Sequence, residues 1–404
     1  MSKRVQVVLM GILGRTPLAG VSWQVLQYLE GFRRLGCDCY YIEDTGDWAY
    51  NPEQTTSEYG SAQYAVNCAY AVNYVARVMS WYGFGDHWAY RSRIDGRLFG
   101  LSESKVSSVF SNAEVLINLT GSTWLFDEHL SVPIRVYLET DPVIRQIEVA
   151  KGDRDAIELL SAHTHHFTYG ENLGAPDCGV PVTEFNYRPS RPPVVMDWWT
   201  QNVSGSSGFG PARQSIYTTI GNWVQTGKDL EWNGEKYLWS KHHEFVKFID
   251  LPRRTPQRFE LALLCKTNED AEFFPLLKSH GWLVRDALAV SKHILPYRDY
   301  ILGSRGEFTV AKDQNIRLRS GWFSDRSACY LAAGQPVVTQ DTAFGNVLPT
   351  GLGLFSFRSM EDIVTAFDAI ESDYDRHCRA ARELAAEYFA VEKVLGRLMR
   401  DLDL

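Results

Sequence analysis

Long apolar runs are missing: no window approaches the roughly 18 consecutive apolar residues of a membrane-spanning helix, so none is expected. Excess positive charge is missing too. With 41 Lys and Arg against 49 Asp and Glu, the net charge of -8 leaves no footprint for a phosphate backbone, and no nucleic-acid partner is expected. A local group of cations still suits a small anion, because global charge does not decide that. The seven cysteines (Cys37, Cys39, Cys68, Cys178, Cys265, Cys329 and Cys378) contain no CxxC pair, which argues against zinc and dithiol chemistry. Several lie in apolar runs, such as Leu263-Leu264-Cys265 and Ala328-Cys329-Tyr330, where a thiol acts as a small hydrophobe. Met1-Ser2-Lys3-Arg4 leads straight into a strand-like run, without the apolar region and cleavage site of a signal peptide. These absences set the expectation of a reducing cytoplasm.

What is present is an ordinary globular composition, 45% hydrophobic and 22% charged, over 404 residues. That length fits two domains of about 200 residues each. Aromatic residues make up 13%, including 12 Trp, which leans toward flat-faced ligands such as sugars and bases although most such rings fill cores. Residues 5–10 form a short β-branched run, Gly11 to Gly20 a glycine-bearing loop, and Trp23, Leu26, Leu29 and Phe32 recur at helical spacing up to Gly36. Residues 37–42 are a second strand pattern, ending in Glu43-Asp44. This is the order of a mononucleotide-binding βαβ unit, but Gly11, Gly14 and Gly20 do not spell G-x-G-x-x-G. Later runs at 115–119, 134–138 and 166–169 each end in small or polar residues, as strands do where they meet a cleft. The Pro- and Gly-rich sequence between Arg188 and Pro211 reads as a linker with residues 194–199 docked inside it.

A second βα series begins at 215–220 and continues through 259–265, 307–311 and 335–339. A last helix, from about Asp373 to Leu402, carries Leu384, Tyr388, Val391, Val394, Leu395 and Leu398 on one stripe. The expected boundaries are 1–190 for a first, acceptor-side domain, 191–211 for the linker, 212–375 for a second, nucleotide-sugar-binding domain, and 376–404 for a terminal helix packing back on the first domain.

The stretch 306–342 carries the most chemistry. Ser324 and Asp325 are N-cap residue types opening a helix whose free amides suit a diphosphate. Lys312, Arg317, Arg319 and Arg326 supply charge and forked hydrogen bonds around the small-residue turn of Ser320 and Gly321. Beyond the helix, Ala332-Ala333-Gly334-Gln335-Pro336-Val337-Val338 makes a turn and a strand.

This stretch resembles the C-terminal donor-binding half of GT-B glycosyltransferases, especially bacterial families with a glycosyltransferase-group-one-like domain, where a loop-helix unit precedes an Ala-x-Gly-x-Pro-Val-Val turn. The ending Glu387-Tyr388-Phe389-Ala390-Val391-Glu392-Lys393-Val394-Leu395 is similar to the terminal helix that crosses back in such enzymes. The resemblance implies an α/β fold of two facing Rossmann-like domains with that crossing helix. It implies a hexosyltransferase-like activity that moves sugar from a nucleotide-diphosphate sugar without a metal, the donor being a co-substrate and no cofactor being needed. It also implies that Gln340, Asp341 and Thr342 hold the donor sugar, and that Gly221 and Asn222 lie near the diphosphate. Two glutamates eight positions apart, which retaining members often carry, are replaced by Gly321 and Cys329, leaving Asp325 or Glu307 as substitutes.

An inverting transfer needs a base on the first domain's side of the cleft. Asp44, Glu139 and Asp141 at strand ends are candidates, as is His87 in the loop-like Gly85-Asp86-His87-Trp88. His163, His165 and His166 read as a polar strand face, and Asp153-Arg154-Asp155 and Asp373-Tyr374-Asp375 as charged helical segments, so no metal site is expected. The acceptor, whether a small molecule, a glycan or a lipid-linked compound, is not specified by these residues. Two other activities share the fold: a nucleotide-sugar epimerase, and a non-catalytic donor-binding partner protein.

Overall fold

The computed structural model describes residues 4–53, 67–200, 215–264 and 268–404, with 268–271 as backbone only. Much of the expected linker (201–211), the first three residues expected of the second domain (212–214), and Cys265 lie outside the described residues. The apolar runs of the first half become β1 (Gln6–Met10), β2 (Asp38–Thr45), β3 (Trp88–Ser92), β4 (Leu98–Gly100), β5 (Val115–Leu119), β6 (Ile134–Glu139), β7 (His165–Thr168) and β8 (Tyr187–Pro189). They form one sheet in the order β4-β3-β2-β1-β5-β6-β7-β8, parallel throughout except for the β3–β4 pair. Runs buried on both faces need helices on both sides, which the intervening helices supply.

The second half repeats the scheme with β9 (Ile216–Asn222), β10 (Leu230–Trp232), β11 (Glu235–Tyr237), β12 (Arg258–Leu264), β13 (Leu283–Asp286), β14 (Gly306–Thr309), β15 (Val337–Gln340) and β16 (Leu354–Phe357). Six of these make a parallel sheet, β13-β12-β9-β14-β15-β16, while β10 and β11 pair as a separate antiparallel hairpin. Strand order reverses beside β1 in the first sheet and beside β9 in the second. In doubly wound sheets that reversal opens a crevice at the carboxyl ends of the strands.

Two expectations change. Trp88 opens a strand rather than continuing a loop, because β3 continues the parallel sheet alongside β2 and is capped by the short antiparallel β4. The terminal helix is two helices, Tyr374–Tyr388 and Val391–Asp401. The chain breaks between them because Phe389 O accepts from Val194 N at 2.7 Å and Val391 N donates back to Val194 O at 3.1 Å. The second of these helices lies on the first helix of the chain, Ala19–Arg34, so closely that a Cβ on Gly31 would come within 2.4 Å of Leu395. Glycine there is a packing requirement.

Candidate functional site

Both strand reversals face one gap, a cleft of about 1060 Å³ between the sheets. The first domain contributes Arg15 and Thr16 after β1, Thr120 to Ser122 after β5, and Glu139, Thr140 and Asp141 at the end of β6. The second contributes Asn222 at the end of β9, Lys228 in the loop beyond it, and Trp239 after β11.

The two acids of β6 have different surroundings. Glu139 is buried, and burial lifts its carboxyl to about 7 against the hydrogen bonds that Thr168 Oγ1 and Gln146 Nε2 each donate to Oε2 at 2.7 Å. Its Oε1 has no partner among the described residues. Asp141 is instead tied across the cleft: Lys312 Nζ donates to its Oδ1 at 2.6 Å while standing 3.2 Å from the centre of the Trp239 ring. Burial lowers the Lys312 ammonium, and Asp141 opposes that shift.

A second lysine lies nearby. Lys241 lies 4.9 Å from the centre of the Trp322 ring, and Trp322 Nε1 donates to Thr140 O at 2.9 Å across the domain boundary. No carboxylate pairs with Lys241 among the described residues. Burial, then repulsion from Arg326 and Lys312, pushes its ammonium down to about 7. Lys312 and Lys241 repel one another here, and Asp141, Asp325 and Glu307 are the acids whose charge acts on them. The helix Asp325–Ala332 opens nearby: Ser324 stands at its cap without a side-chain capping bond, and the buried Asp325 carboxyl is raised by desolvation with Asp141 adding to it.

Other expected donor ligands are engaged elsewhere. Arg326 is a buried tie inside the second domain, donating from Nε to Glu307 Oε1 at 2.6 Å and from Nη2 to Thr309 Oγ1 at 3.0 Å. Its donors are spent inside the domain, and Glu307 is wholly buried beneath it. Arg319 pairs with Asp177 of the first domain at 2.8 Å, and the turn after it is a junction between domains. Ser320 O accepts from Asn172 N at 3.1 Å, Gly321 N donates to Thr342 O at 2.7 Å, and a Cβ on Gly321 (φ +80°) would fall 2.4 Å from Asn172 N. Gln340 is buried and donates to Glu244 at 2.8 Å, while Asp341 accepts from Ala343 N at 2.8 Å and Arg358 Nε at 2.7 Å. Gly221 lies within β9 beside Leu263, and only its neighbour Asn222 lines the cleft.

On the first domain, His87 precedes β3 at the amino ends of the strands, the side away from the cleft, and pairs with Asp86 at 2.7 Å. Asp44 is buried against Arg91 (3.2 Å), Arg93 and His129 (3.4 Å). Asp44, Glu128 and His129 do bring ligating atoms within 4.8 Å of one another, but two arginines already neutralise that carboxylate. Asp153 and Asp373, from the Asp-x-Asp strings, cap helices by accepting from Ala156 N and Arg376 N. The glycine loop after β1 has its own internal anion: Glu43 accepts from Gly14 N, Arg15 N and Tyr41 Oη, each at 2.6 Å. A carboxylate there occupies the amides that a phosphate would use.

Of the sequence candidates, then, Glu139, Asp141 and Asn222 line the cleft, and Lys312 contacts it through Asp141. Lys228, Lys241, Trp239 and Arg15 were not singled out in the sequence. Gly227-Lys228, in the loop following the first strand of the second domain, was a readable signal. Lys241 was not, because only the tertiary fold carries it beneath Thr140.

No protein-family model and no curated protein sequence matches the chain. Solved structures do match over full length. An alpha-glucosyltransferase in complex with UDP and a 13-mer DNA superposes with a TM-score of 0.58, at 10% identity over 100% of both chains. HepE of Anabaena, in complex with UDP and glucose, gives 0.55 at 11% identity over 99% of this chain and 100% of its own. Sucrose-phosphate synthase from Thermosynechococcus elongatus gives 0.53 at 11% identity over 99% of each. At such identities the likeness establishes architecture: this chain has the GT-B fold, two facing Rossmann-like domains with a cleft between them.

Proposed function

We propose that the protein is a glycosyltransferase that takes its sugar from a nucleoside-diphosphate donor held against the second domain, without a metal ion. The observation that carries this reading is a pair of lysines next to the cleft: Lys312 contacts the lining residues Asp141 and Trp239, and Lys241, over the Trp322 ring, has no ion pair among the described residues. A diphosphate placed there opposes the burial that lowers both ammonium groups. It also gives the leaving group cations fixed in a low-dielectric site, which is where they stabilise developing charge most. Lys228 and Asn222 extend the same wall toward the nucleoside. UDP in the alpha-glucosyltransferase and HepE structures makes a uridine donor the first to test. Glu139 serves as the proton acceptor for the incoming hydroxyl, since it is at the cleft wall with one buried oxygen unpaired and a carboxyl near neutrality. Asp141 holds Lys312 in place.

Titration calorimetry with UDP, TDP and GDP, each with and without EDTA, tests the donor half. One nucleotide binds, chelation leaves its affinity unchanged, and Lys241→Met or Lys312→Met weakens it at least about ten-fold, the loss of a charged hydrogen bond of roughly 1.5–3 kcal/mol. Binding that disappears on chelation, or that ignores both lysines, removes this reading.

A further inference from the structure

A second cavity of about 600 Å³ opens beside the cleft, wholly on the first domain. The two share Ile12, Arg15 and Ser122, so a ligand filling the second reaches the donor side without leaving the protein surface. Its outer wall carries two of the large apolar side chains most open to solvent, Trp124 at 46% and Phe126 at 41%. Phe126 is covered on one face by the Arg93 guanidinium, 3.5 Å from its centre. Trp124 has no aromatic ring and no cation stacked on it among the described residues.

An exposed tryptophan on a loose loop would mean little. This loop is held. Asn118, at the end of β5, donates from Nδ2 to Thr123 O at 2.7 Å and accepts from Thr123 N at 3.3 Å, and His163 Nε2 braces the same amide at 3.1 Å. The residue before Trp124 is therefore clamped from two sides, and a bare ring is presented into a cavity from a fixed backbone. Such a ring is a flat apolar platform on a held backbone, the arrangement that suits a pyranose face bearing C–H groups.

The polar groups opposite choose among ligand classes. Arg15 pairs with Asp47 at 2.6 Å, and Arg93 with the buried Asp44. Both cations are neutralised within the protein, whereas Asp47 and Glu158 add acceptor oxygens at the rim. A phosphodiester or other polyanion meets carboxylates without a free cation. A neutral polyol meets oxygens ready to accept its hydroxyls.

We infer that this cavity is the acceptor site and that the acceptor is a neutral oligosaccharide stacking on Trp124. The inference rests on the glycosyl-transfer reading above and specifies its second substrate. The cavity volume is that of a small-molecule site and accommodates a short glycan, and its opening onto the cleft at Ser122 points the chain end toward Glu139.

The test is titration calorimetry of the UDP-saturated protein with malto-, cello-, xylo- and laminari-pentaose, repeated on Trp124→Ala, Trp124→Phe and Trp81→Ala. At least one glycan binds to the parent. Trp124→Ala weakens it ten-fold or more, Trp124→Phe restores much of the loss, and Trp81→Ala, an exposed tryptophan elsewhere, changes nothing. UDP affinity stays within two-fold in all three variants. No binding by any of the four glycans, or unchanged binding in Trp124→Ala, overturns the inference even when UDP binds normally. Competition of the glycan by an unglycosylated DNA duplex also overturns it. Loss of UDP binding by the parent instead strikes the donor reading, and the glycan titrations without nucleotide then judge this site on their own.

Discussion

Two buried carboxyls, Glu43 and Glu139, are both lifted by desolvation to about 7, yet they are equipped for different work. Glu43 accepts three hydrogen bonds and spends them fixing the loop after β1. Glu139 accepts two on one oxygen and leaves the other free beside the cleft. A base must be ionised to act and Lys241 must be protonated to hold the donor, so kcat/KM should rise with pH toward about 7 and fall beyond it. Glu139→Gln should lower kcat by about 10²–10⁴-fold, the usual worth of a positioned base, abolish that rising limb, and leave nucleotide affinity intact. Stability supplies an independent readout of burial. Because the folded carboxyl holds its proton to higher pH than the unfolded one, the parent loses stability relative to Glu139→Gln as pH rises from the ordinary Glu range, about 4.3, through 7. A pH–rate profile unchanged in Glu139→Gln would assign the base elsewhere.

At the scale of elements, the first helix shows how one residue records a tertiary contact. Replacing glycine by alanine inside a helix ordinarily gains about 1 kcal/mol of propensity. At Gly31 the added methyl would overlap Leu395 at 2.4 Å and Val391 at 2.9 Å, and overpacking of that kind costs roughly 1–3 kcal/mol. The second effect should win: Gly31→Ala lowers the melting temperature, and a rise would mean that the terminal helix does not rest there. Such reasoning also explains what could be read in advance. The parallel strands were legible because burial on both faces leaves an unbroken apolar run ending in polar residues, as at Val115–Leu119, which the pattern matched end to end. The hairpin β10–β11 was not, since Leu230–Trp232 and Glu235–Tyr237 are three residues each and half polar. The break at Phe389 left no proline or glycine in the sequence, because it is made by a strand-like contact with Val194 some 200 residues earlier. Arginines misled most. Arg319 and Arg326 lie in the stretch that resembles a donor site, but only the fold shows that Asp177 and Glu307 were waiting for them.

Over the whole molecule the two sheets are separate, but the largest of the apolar clusters spans both domains. Interfaces between domains of one chain are usually modest and rather polar, which lets the domains move and melt independently. Here one buried cluster runs from Trp23 and Tyr28 on the first helix, through Trp199, to Ile294, Tyr297 and Cys329 of the second domain and Leu395 of the terminal helix. Polar ties follow the same path: Trp23 Nε1 donates to Ile294 O at 3.0 Å, and Gln27 Oε1 accepts from Trp199 Nε1 at 3.1 Å. Asn172 and Arg319 lock the far end of the junction through Ser320 and Asp177. Unfolding either domain alone would expose this shared core and strand its buried donors, so the partly unfolded state is penalised twice. Calorimetry of the full chain should therefore show one transition, with calorimetric and van't Hoff enthalpies in agreement. Trp23→Ala removes the ring at the centre of the seam, at a cost of about 3–5 kcal/mol, and should separate the melt into two steps as well as lowering it. Two resolved transitions in the parent would show that the domains share a surface but not a folding unit.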